Sequence, residues 1–300
     1  MGAQLRLLRR RIRSVKSTAK ITRAQELIAS SRIIKAQQRM EAAVPYEREI
    51  TRAVSAVLSN TADVDHPLTV AKDQPVSAGV LIVTSDRGFA GGFNANILRE
   101  AEALAGHLRG RNVAMKPFVV GRKGIGWHRF RSREMSGEWS GFSDNPLYAH
   151  AKEIAGSLVS AFADENGIDE IHVVYTRFVS MLTQEVQVTR ILPLEVEETT
   201  EEPVGGPLPY YEFEPTAGEV LNQLLPRYIE SRIYNALLQS AASEHASRRR
   251  AMKSATDNAN ELIRTFTQQM NQARQAEITQ EISEIVGGAN ALADASAGKE

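Results

Sequence analysis

The sequence of 300 residues contains no cysteine, and this absence excludes several kinds of chemistry at once. Without thiols the chain has no disulfides, no thiolate metal sites and no cysteine nucleophile, which fits a reducing compartment. No run approaches the roughly 18 apolar residues that a membrane-spanning helix needs. The N-terminus is basic, but no apolar segment follows it, so we expect no signal peptide.

Glycine and proline are absent from two long stretches at the ends of the chain, Ala3–Val44 and Arg227–Val286. As continuous helices at about 1.5 Å per residue, they would measure roughly 63 Å and 90 Å. Helices of this length do not pack within a compact globule of this size, so most of each must lie against another long element. Pro45 is compatible with a kink, and we predict further helix to about Leu58.

Apolar and small residues recur at intervals of three and four in both stretches, the pattern of a two-helix seam. In the first stretch the predicted seam comprises Leu5, Leu8, Ile12, Val15, Ala19 and Thr22 and, after a slip, Ala29, Ile33, Ala36, Met40 and Ala43. In the second it comprises Met252, Ala255, Ala259, Leu262 and Phe266, and later Ile278, Ile282, Ile285, Ala289 and Leu292. Because both helices join the same middle domain, we predict an antiparallel coiled coil whose C-terminal helix extends beyond its partner.

Between the two helices, short apolar runs alternate with amphipathic segments, which is typical of a mostly parallel, three-layer α/β domain. The predicted strands are Ala78–Thr84, Pro117–Val120, Glu170–Thr176 and Glu185–Leu192, and the predicted helices are Asn94–Leu108, a short one from Gly121, and Leu147–Phe162. The predicted fold class is therefore α/β, with a small Rossmann-like domain inserted between two coiled-coil helices. We place the boundaries at residues 1–60, 61–216 and 217–300.

The formal net charge of zero conceals three regions of different charge. Residues 1–60 carry 13 Lys and Arg against 4 Asp and Glu, residues 61–220 carry 14 against 23, and the remainder carries 9 against 9. Within the acidic region, Glu195–Glu219 has eight acidic residues, four prolines, three glycines and no Lys or Arg. This composition predicts a linker, either an exposed loop or a lone edge hairpin.

The loop Ser85–Asn94 is the sharpest local candidate for a ligand site, because it follows a predicted strand and opens a predicted helix. Its letters, SDRGFAGGFN, match neither the dinucleotide-binding glycine pattern nor a P-loop. A tight turn that needs glycine for its backbone conformation accounts for the same residues. Gly121–Gly124 is a weaker turn of the same kind.

Chemistry that depends on clustered side chains has little support in the sequence. The six histidines are scattered, and no pair has the spacing of a zinc motif. His172 lies inside a predicted strand and is expected to be packed or at an edge. No local Ser/His/Asp arrangement is present. From these patterns we predict no catalytic and no metal-binding residues.

Two basic clusters leave several partners open: Arg9–Arg11 with its helical neighbours, and Arg248–Arg250 with Lys253. Nucleic acid is one alternative, although the first aromatic residue is Tyr46 and interleaved aromatics are therefore missing. A solvated helix face is another, and a positive collar facing acidic loops of a protein partner is a third. A nucleotide-binding α/β domain on a coiled-coil stalk also stays open.

Three segments together resemble the gamma-subunit family of the F-type rotary ATP synthases, and the resemblance extends over essentially the whole chain. They are Arg11–Arg32, the loop Ser85–Asn94, and Ala251–Ala289, which contains ARQAEITQEISEIVGGA from Ala273 onwards. The departures are few: Gln25 stands where some members have methionine, Phe89 replaces leucine, and Ala90 stands where cysteine is often found.

The resemblance implies a central-stalk rotor, and a bacterial one, since the extra cysteine pair of chloroplast members is missing. In the family, an antiparallel coiled coil turns inside a ring of three alpha and three beta subunits. The globular part sits with the epsilon subunit on the membrane ring of c subunits. One copy per complex couples proton flow to ATP synthesis or hydrolysis, and the chemistry belongs to beta. The chain itself is then expected to bind no nucleotide, other cofactor or nucleic acid, and to lie peripherally at the cytoplasmic face of the plasma membrane.

The resemblance also implies where partners are contacted. Residues matching the family's catch region, which engages a loop on beta, are Lys20, Arg23, Gln25, Arg274, Gln275, Thr279 and Glu281. Residues matching the shaft tip, which turns in an apolar bearing, are Ile282, Ile285, Val286, Ala289 and Leu292. Tyr210 and Tyr211 lie where the family approaches the rotor ring.

Overall fold

The computed structural model describes residues 2–59, 68–69, 72–164, 167–194, 214 and 216–297, and within these ranges the side chains of residues 3–290. The elements are α1 Gly2–Ser59, β1 Ser77–Val83, α2 Phe93–Gly110, β2 Ala114–Val120, α3 Arg122–Phe130, β3 Gly137–Trp139, α4 Tyr148–Ala163, β4 Glu170–Phe178, β5 Gln184–Leu192 and α5 Ala217–Ala297. The chain forms two compact units, one of Met1–Ile28 with Ala251–Glu300 and one of Ala29–Arg250.

The unit Ala29–Arg250 is built on a five-stranded sheet in the order β3-β2-β1-β4-β5. The first four strands are parallel, and β5 runs antiparallel to β4. β1 lies in the centre, and Leu81 pairs with Phe118 on one side and Val173 on the other. All seven residues of β1 are buried, as expected for the continuous apolar run of a central parallel strand. The three-residue edge strand β3 was not predicted, because so short a segment carries no periodicity.

Helices cover both faces of this sheet, which confirms the predicted three-layer α/β domain. On one face, α2 and α3 pack on side chains such as Val80 and Ile82. On the other face, α4 and the parts of α1 and α5 in this unit share a core that includes Leu81, Leu158 and Ile229. Each layer therefore buries the apolar stripe of its helices against the sheet.

Both terminal helices contain a proline that does not end them. α1 continues through Pro45, and Glu41, whose carbonyl loses its intrahelical partner, is exposed. α5 begins at Ala217 and continues through Pro226. The helix therefore includes ten residues before Arg227, the first residue of the stretch without glycine and proline. The predicted extent of the rest of the helix is confirmed and exceeded.

The seam predicted for α1 is confirmed, since Leu5, Leu8, Ile12, Ala19 and Thr22 are buried and Val15 is half-buried. Glu26 is buried between Thr22 and Ala29, so the spacing of three and four residues continues through the predicted interruption of the seam. On α5 the seam runs through Met252, Thr256, Ala259, Ile263 and Phe266. Leu262 was therefore assigned wrongly: its side chain is 46% exposed, and its neighbour Ile263 takes the inward position.

Candidate functional site

The helix pair in the unit formed by Met1–Ile28 and Ala251–Glu300 runs antiparallel. Thr22 and Thr256 face each other with their hydroxyl oxygens 2.7 Å apart. The guanidinium of Arg11 lies over the ring of Phe266, 5.9 Å from its centroid. Moving towards the start of α1 thus means moving towards the end of α5, almost residue for residue. At this register Gly2 reaches about the level of Gln275.

Beyond that level α5 continues to Ala297 without α1 beside it. Along this continuation Ile278, Ile282, Ile285 and Val286 are between 45% and 72% exposed, and Ala289 is also exposed. Leu292, the last residue of the predicted tip, lies outside the residues whose side chains are described. Exposed apolar surface of this kind is typical of interaction sites.

The predicted catch residues are all exposed, but the structure does not bring them together. Lys20, Arg23 and Gln25 lie on α1 at the level of about residues 253–258 of α5. Arg274, Gln275, Thr279 and Glu281 lie roughly 30 Å further along α5 at ~1.5 Å per residue. Arg23 forms an ion pair of 2.8 Å with the buried Glu26. Two separate contact levels therefore exist on one helix pair.

Some predicted features fall outside the described part of the chain. Tyr210 and Tyr211 are among them, and so is most of the acidic linker Glu195–Glu219. The predicted edge hairpin within that linker stays untested.

The glycine-rich loop Ser85–Asn94 is held by other loops of the same unit. The carboxylate of Asp86 accepts hydrogen bonds from the backbone N–H groups of Arg122 (3.1 Å), Gly141 (2.8 Å) and Ser143 (3.0 Å). Gly91 has a φ of 58°, a conformation that glycine adopts without strain. Phe89, with a φ of 61°, points its ring into solvent and is 80% exposed. This geometry favours the explanation of the loop as a structural turn.

A buried charged cluster on α5, formed by Glu244, His245 and Arg248, was missed by sequence reasoning. The Arg248 guanidinium donates to the Glu244 carboxylate at 2.6 Å, and neither side chain is more than 9% exposed. Local composition places Arg248 in a basic patch with Arg249 and Arg250. The one available signal was a Glu–Arg pair at helical i,i+4 spacing within a run of alanine and serine.

Burial governs the protonation of this cluster. Burial raises the pKa of Glu244, and the adjacent Arg248 guanidinium opposes that rise. Burial lowers the pKa of His245 to about 4, and the charge of Arg248 adds to this effect. The Nε2 of His245 lies 3.2 Å from the carbonyl oxygen of Asp144, so this nitrogen carries the proton and donates it. His245 is therefore neutral at pH 7.

A second charged cluster lies at the start of β4. Glu170 accepts from Arg111 at 2.7 Å and lies 2.9 Å from the Nε2 of His172. Burial opposes ionisation of Glu170, but the bonds from Arg111 and His172 outweigh it and hold its pKa below the usual range. His172 is buried, as predicted for a packed strand residue, and burial lowers its pKa. The cluster joins β4 to the end of α2 and reads as structural.

Among the described helices, none has a stretch apolar and long enough to cross a membrane.

Comparisons with known proteins point to one family. The family model described as ATP synthase matches residues 4–292. The ATP synthase gamma chain of Acidothermus cellulolyticus is 66% identical over 295 residues, covering 97% of this chain and 98% of that protein. The gamma chain of Thermobifida fusca is 59% identical over 306 residues and is covered completely.

Solved structures agree with this likeness. A central-stalk chain of the mitochondrial ATP synthase of Tetrahymena thermophila has a TM-score of 0.59 at 26% identity, with 78% of this chain and 99% of that chain covered. A rotor chain of the Euglena gracilis mitochondrial ATP synthase has a TM-score of 0.66, with 93% and 100% covered. At 15% identity, the latter likeness concerns the fold alone.

Proposed function

Because the chain belongs to the gamma-chain family of the F-type ATP synthases and is a central-stalk subunit, we propose that it acts as a rotating shaft without a catalytic site of its own. It transmits torque between a membrane ring of c subunits and a catalytic ring of three alpha and three beta subunits. Proton flow through the membrane sector is thereby coupled to ATP synthesis or hydrolysis, whose chemistry takes place on beta.

The observation that carries this proposal is the unequal length of the two helices in the unit formed by Met1–Ile28 and Ala251–Glu300. α5 continues for about 20 residues past the level where α1 begins, and its exposed isoleucines need a covering surface. A ring of catalytic subunits closing around this segment supplies that surface. An apolar bearing suits rotation, because apolar contacts are non-directional and do not hold one angle.

The mechanism follows from a mismatch of symmetry. A pair of helices has no threefold axis, so it contacts three identical beta subunits in three different ways. Each contact shifts the conformational equilibrium of its beta subunit only by the difference in contact free energy between the states. Three nucleotide sites are thereby held in three states, and rotation passes these states around the ring.

Two contact levels on the helix pair would communicate its rotational angle to the beta subunits. At the first level the exposed Lys20, Arg23 and Gln25 of α1 face a beta subunit. At the second level, Arg274, Gln275, Thr279 and Glu281 on α5 engage a catch loop. Beyond them the tip residues Ile282, Ile285, Val286, Ala289 and Leu292 turn in the apolar bearing. The polar groups at the two catch levels form directional contacts with beta, whereas the apolar groups at the tip allow rotation within the bearing.

The remaining assignments complete the proposal. The α/β part, within boundaries at 1–60, 61–216 and 217–300, carries the foot that binds the epsilon subunit and the c ring, with Tyr210 and Tyr211 on the ring side. One copy is present per complex, at the cytoplasmic face of the bacterial plasma membrane. It binds no nucleotide, other cofactor or nucleic acid.

Copurification tests this proposal. We expect the tagged chain, expressed with its alpha, beta and epsilon subunits, to yield a complex whose native mass fits one copy with three alpha and three beta. The purified chain should also restore ATPase activity to separated alpha and beta subunits. A complex of another stoichiometry, or no gain in ATPase activity, contradicts the proposal. ATP binding to the isolated chain, lost on Gly91→Trp, would instead favour the nucleotide-binding alternative.

A further inference from the structure

Every residue of α5 from Ser240 to Arg248 is buried in the unit Ala29–Arg250, and six of these nine residues are alanine or serine. Small side chains let the helix lie close to the sheet. They also present a smooth surface, and apolar burial has no preferred direction. Within this segment such packing alone does little to orient the helix, so its directional contacts add to the packing of larger apolar residues earlier in α5, such as Ile229 and Ile233.

Two serines of this segment bind α5 to β4. Ser240 Oγ accepts a hydrogen bond from the backbone N–H of Thr176 at 3.1 Å. Ser243 Oγ donates to the carbonyl oxygen of the same residue, also at 3.1 Å. One strand residue thus binds two successive turns of α5.

Arg248 joins α5 to the glycine-rich loop. Its guanidinium donates to the carbonyl oxygens of Arg87 and Gly88, each at 3.3 Å, while Glu244 receives the shortest bond, at 2.6 Å. A guanidinium is a planar fork whose donors point in fixed directions. With Glu244 holding one edge, the fork binds the two loop carbonyls at a single helix orientation.

Neighbouring residues bind two further loops. His245 donates to the carbonyl oxygen of Asp144, in the loop between β3 and α4. Arg250 donates to the carbonyl oxygen of Leu182 and to the side chain of Gln184, at the β4–β5 hairpin. Within two helical turns, α5 is therefore tied to three different loops of the α/β domain.

We propose that Glu244, His245 and Arg248, together with the loop carbonyls of Arg87 and Gly88, form a rotational lock that passes torque between the α/β domain and α5. The proposal rests on the rotor function proposed above and names the residues through which that function acts. Arg248 is its central positioning residue, since it binds both the helix and the loop. The lock resists rotation of the α/β domain around the helix under load.

The burial of the ion pair supports an orienting role. Removing two charges from water costs free energy that their attraction barely returns, so buried pairs are weak sources of stability. Apolar residues of similar size would fill this space at lower cost. Directional bonds from a buried fork restrict the orientation of the helix more narrowly than apolar packing does.

The test uses the complete enzyme in inverted membrane vesicles, with ATP-driven proton pumping and ATP hydrolysis measured on the same sample. Arg248→Met keeps the aliphatic stem and removes the fork. We expect protons pumped per ATP to fall several-fold, because the helix loses bonds that fix its orientation, while hydrolysis continues. Arg227→Met, which changes an exposed arginine of the same helix, should leave this ratio unchanged. A wild-type ratio in Arg248→Met overturns the proposal.

If Arg248→Met fails to assemble, Arg248→Lys carries the test, because lysine keeps a charge beside Glu244 but lacks the planar fork. A lowered ratio supports the lock and a wild-type ratio overturns it. If the wild-type enzyme itself pumps no protons, the rotor function fails instead, so the two failures are distinct.

A crosslink that replaces the hydrogen bonds between Arg248 and the loop distinguishes loss of the lock from general misfolding of the variant. The chain has no cysteine, so Gly88→Cys with Arg248→Cys introduces a unique pair. A Cβ at Gly88 would meet only the Lys123 side chain, at 3.5 Å, so this substitution is tolerated. Bridging the pair with a short bismaleimide should restore the ratio that the unbridged variant has lost. Failure of a confirmed bridge to restore it overturns the proposal.

Discussion

Thr22 on α1 and Thr256 on α5 place their hydroxyl oxygens 2.7 Å apart in the buried seam of the helix pair. Each hydroxyl also lies near a carbonyl of its own helix, Ala19 at 3.1 Å and Met252 at 2.9 Å. The two helices are therefore joined by a polar contact at a seam position where apolar residues are usual. This contact fixes the register between them, as a polar seam residue does in other coiled coils.

Removing both hydroxyls should cost less than the sum of removing each one alone. Thr22→Val or Thr256→Val alone leaves a buried hydroxyl with one partner fewer, and we expect each to weaken the pair by about 1 kcal/mol. The double variant should cost less than the sum, because two apolar groups then face each other. Amide hydrogen exchange of residues 252–260 measures the stability of the helix pair in the parent, the two single variants and the double variant. Additive effects would contradict a direct bond between the two threonines.

Truncation after Ala276 should uncouple the enzyme and leave the chain folded. The removed residues lie past the level of the start of α1, and those described are almost all exposed, so few intramolecular contacts are lost. We expect protons pumped per ATP to fall several-fold, with an unchanged urea unfolding curve. Coupling at the wild-type level would count against the assigned tip.

Point variants refine that result. Ile282→Ser with Ile285→Ser places polar groups in the proposed bearing, and both side chains are exposed, so stability should change by less than about 0.5 kcal/mol. Pumping should nevertheless fall. Ile34→Ser changes an equally exposed isoleucine of α1 and serves as the matched control. An equal effect of both changes would remove the special role of the tip.

Position 121 requires glycine because of its backbone conformation and because Thr84 lies close to it. Its φ is 95°, and an added Cβ would lie 2.3 Å from the carbonyl oxygen of Thr84. We expect Gly121→Ala to lower the free energy of unfolding by about 2 kcal/mol or more. In the same helical region Gly126 has nothing within 4 Å of an added Cβ, so Gly126→Ala should stabilise the chain by about 0.5–1 kcal/mol. Urea unfolding compares the two, and equal effects would refute the assigned role of Gly121.

Acidification should destabilise the unit Ala29–Arg250 through His245. Its folded pKa of about 4 lies below the unfolded value of 6.5, so the unfolded state binds the proton more tightly. Stability is then present above pH 6.5 and is lost as the pH falls towards 4, by up to roughly 3 kcal/mol. Arg248 and Arg32 face the ring and oppose its protonation, while Asp144 favours it.

His245→Gln isolates this contribution, because glutamine retains a donor for the carbonyl of Asp144. His128 and His172 also have lowered pKa values and add to the loss in the parent chain. The raised pKa of Glu244 acts in the opposite direction, since that carboxyl favours its protonated form when folded. We expect a shallower fall in the unfolding free energy of the variant between pH 6.5 and 4. An identical slope would show that His245 does not titrate as proposed.

Much of the fold was predictable, because its elements depend on local patterns. The seam of α1 and the strands β1, β4 and β5 follow from the spacing and burial of apolar residues. The errors have physical causes. The three residues of β3 are too few to show a period, and Leu262 is displaced by Ile263, since heptad phase in a small-residue seam is ambiguous.

The candidate site was predictable only in part. The exposure of Ile285 and Arg274 agrees with an interface, but no helical pattern states which protein covers them, and only the family likeness suggests it. The burial of Glu244 and Arg248 could not be predicted, because it depends on loops brought together from three distant parts of the chain. Local composition indicates a solvated basic patch there, whereas Glu244 and Arg248 are buried in the folded chain.

Rotation of the single chain tests the central claim most directly. Phe130 is 87% exposed, and Phe130→Cys provides a unique thiol for a bead, since the chain has no cysteine. With the alpha and beta subunits fixed to glass and supplied with ATP, the bead should turn in one direction and pause at three angles in each revolution. A bead that stays at one angle, or pauses without threefold spacing while ATP is hydrolysed, would contradict the account.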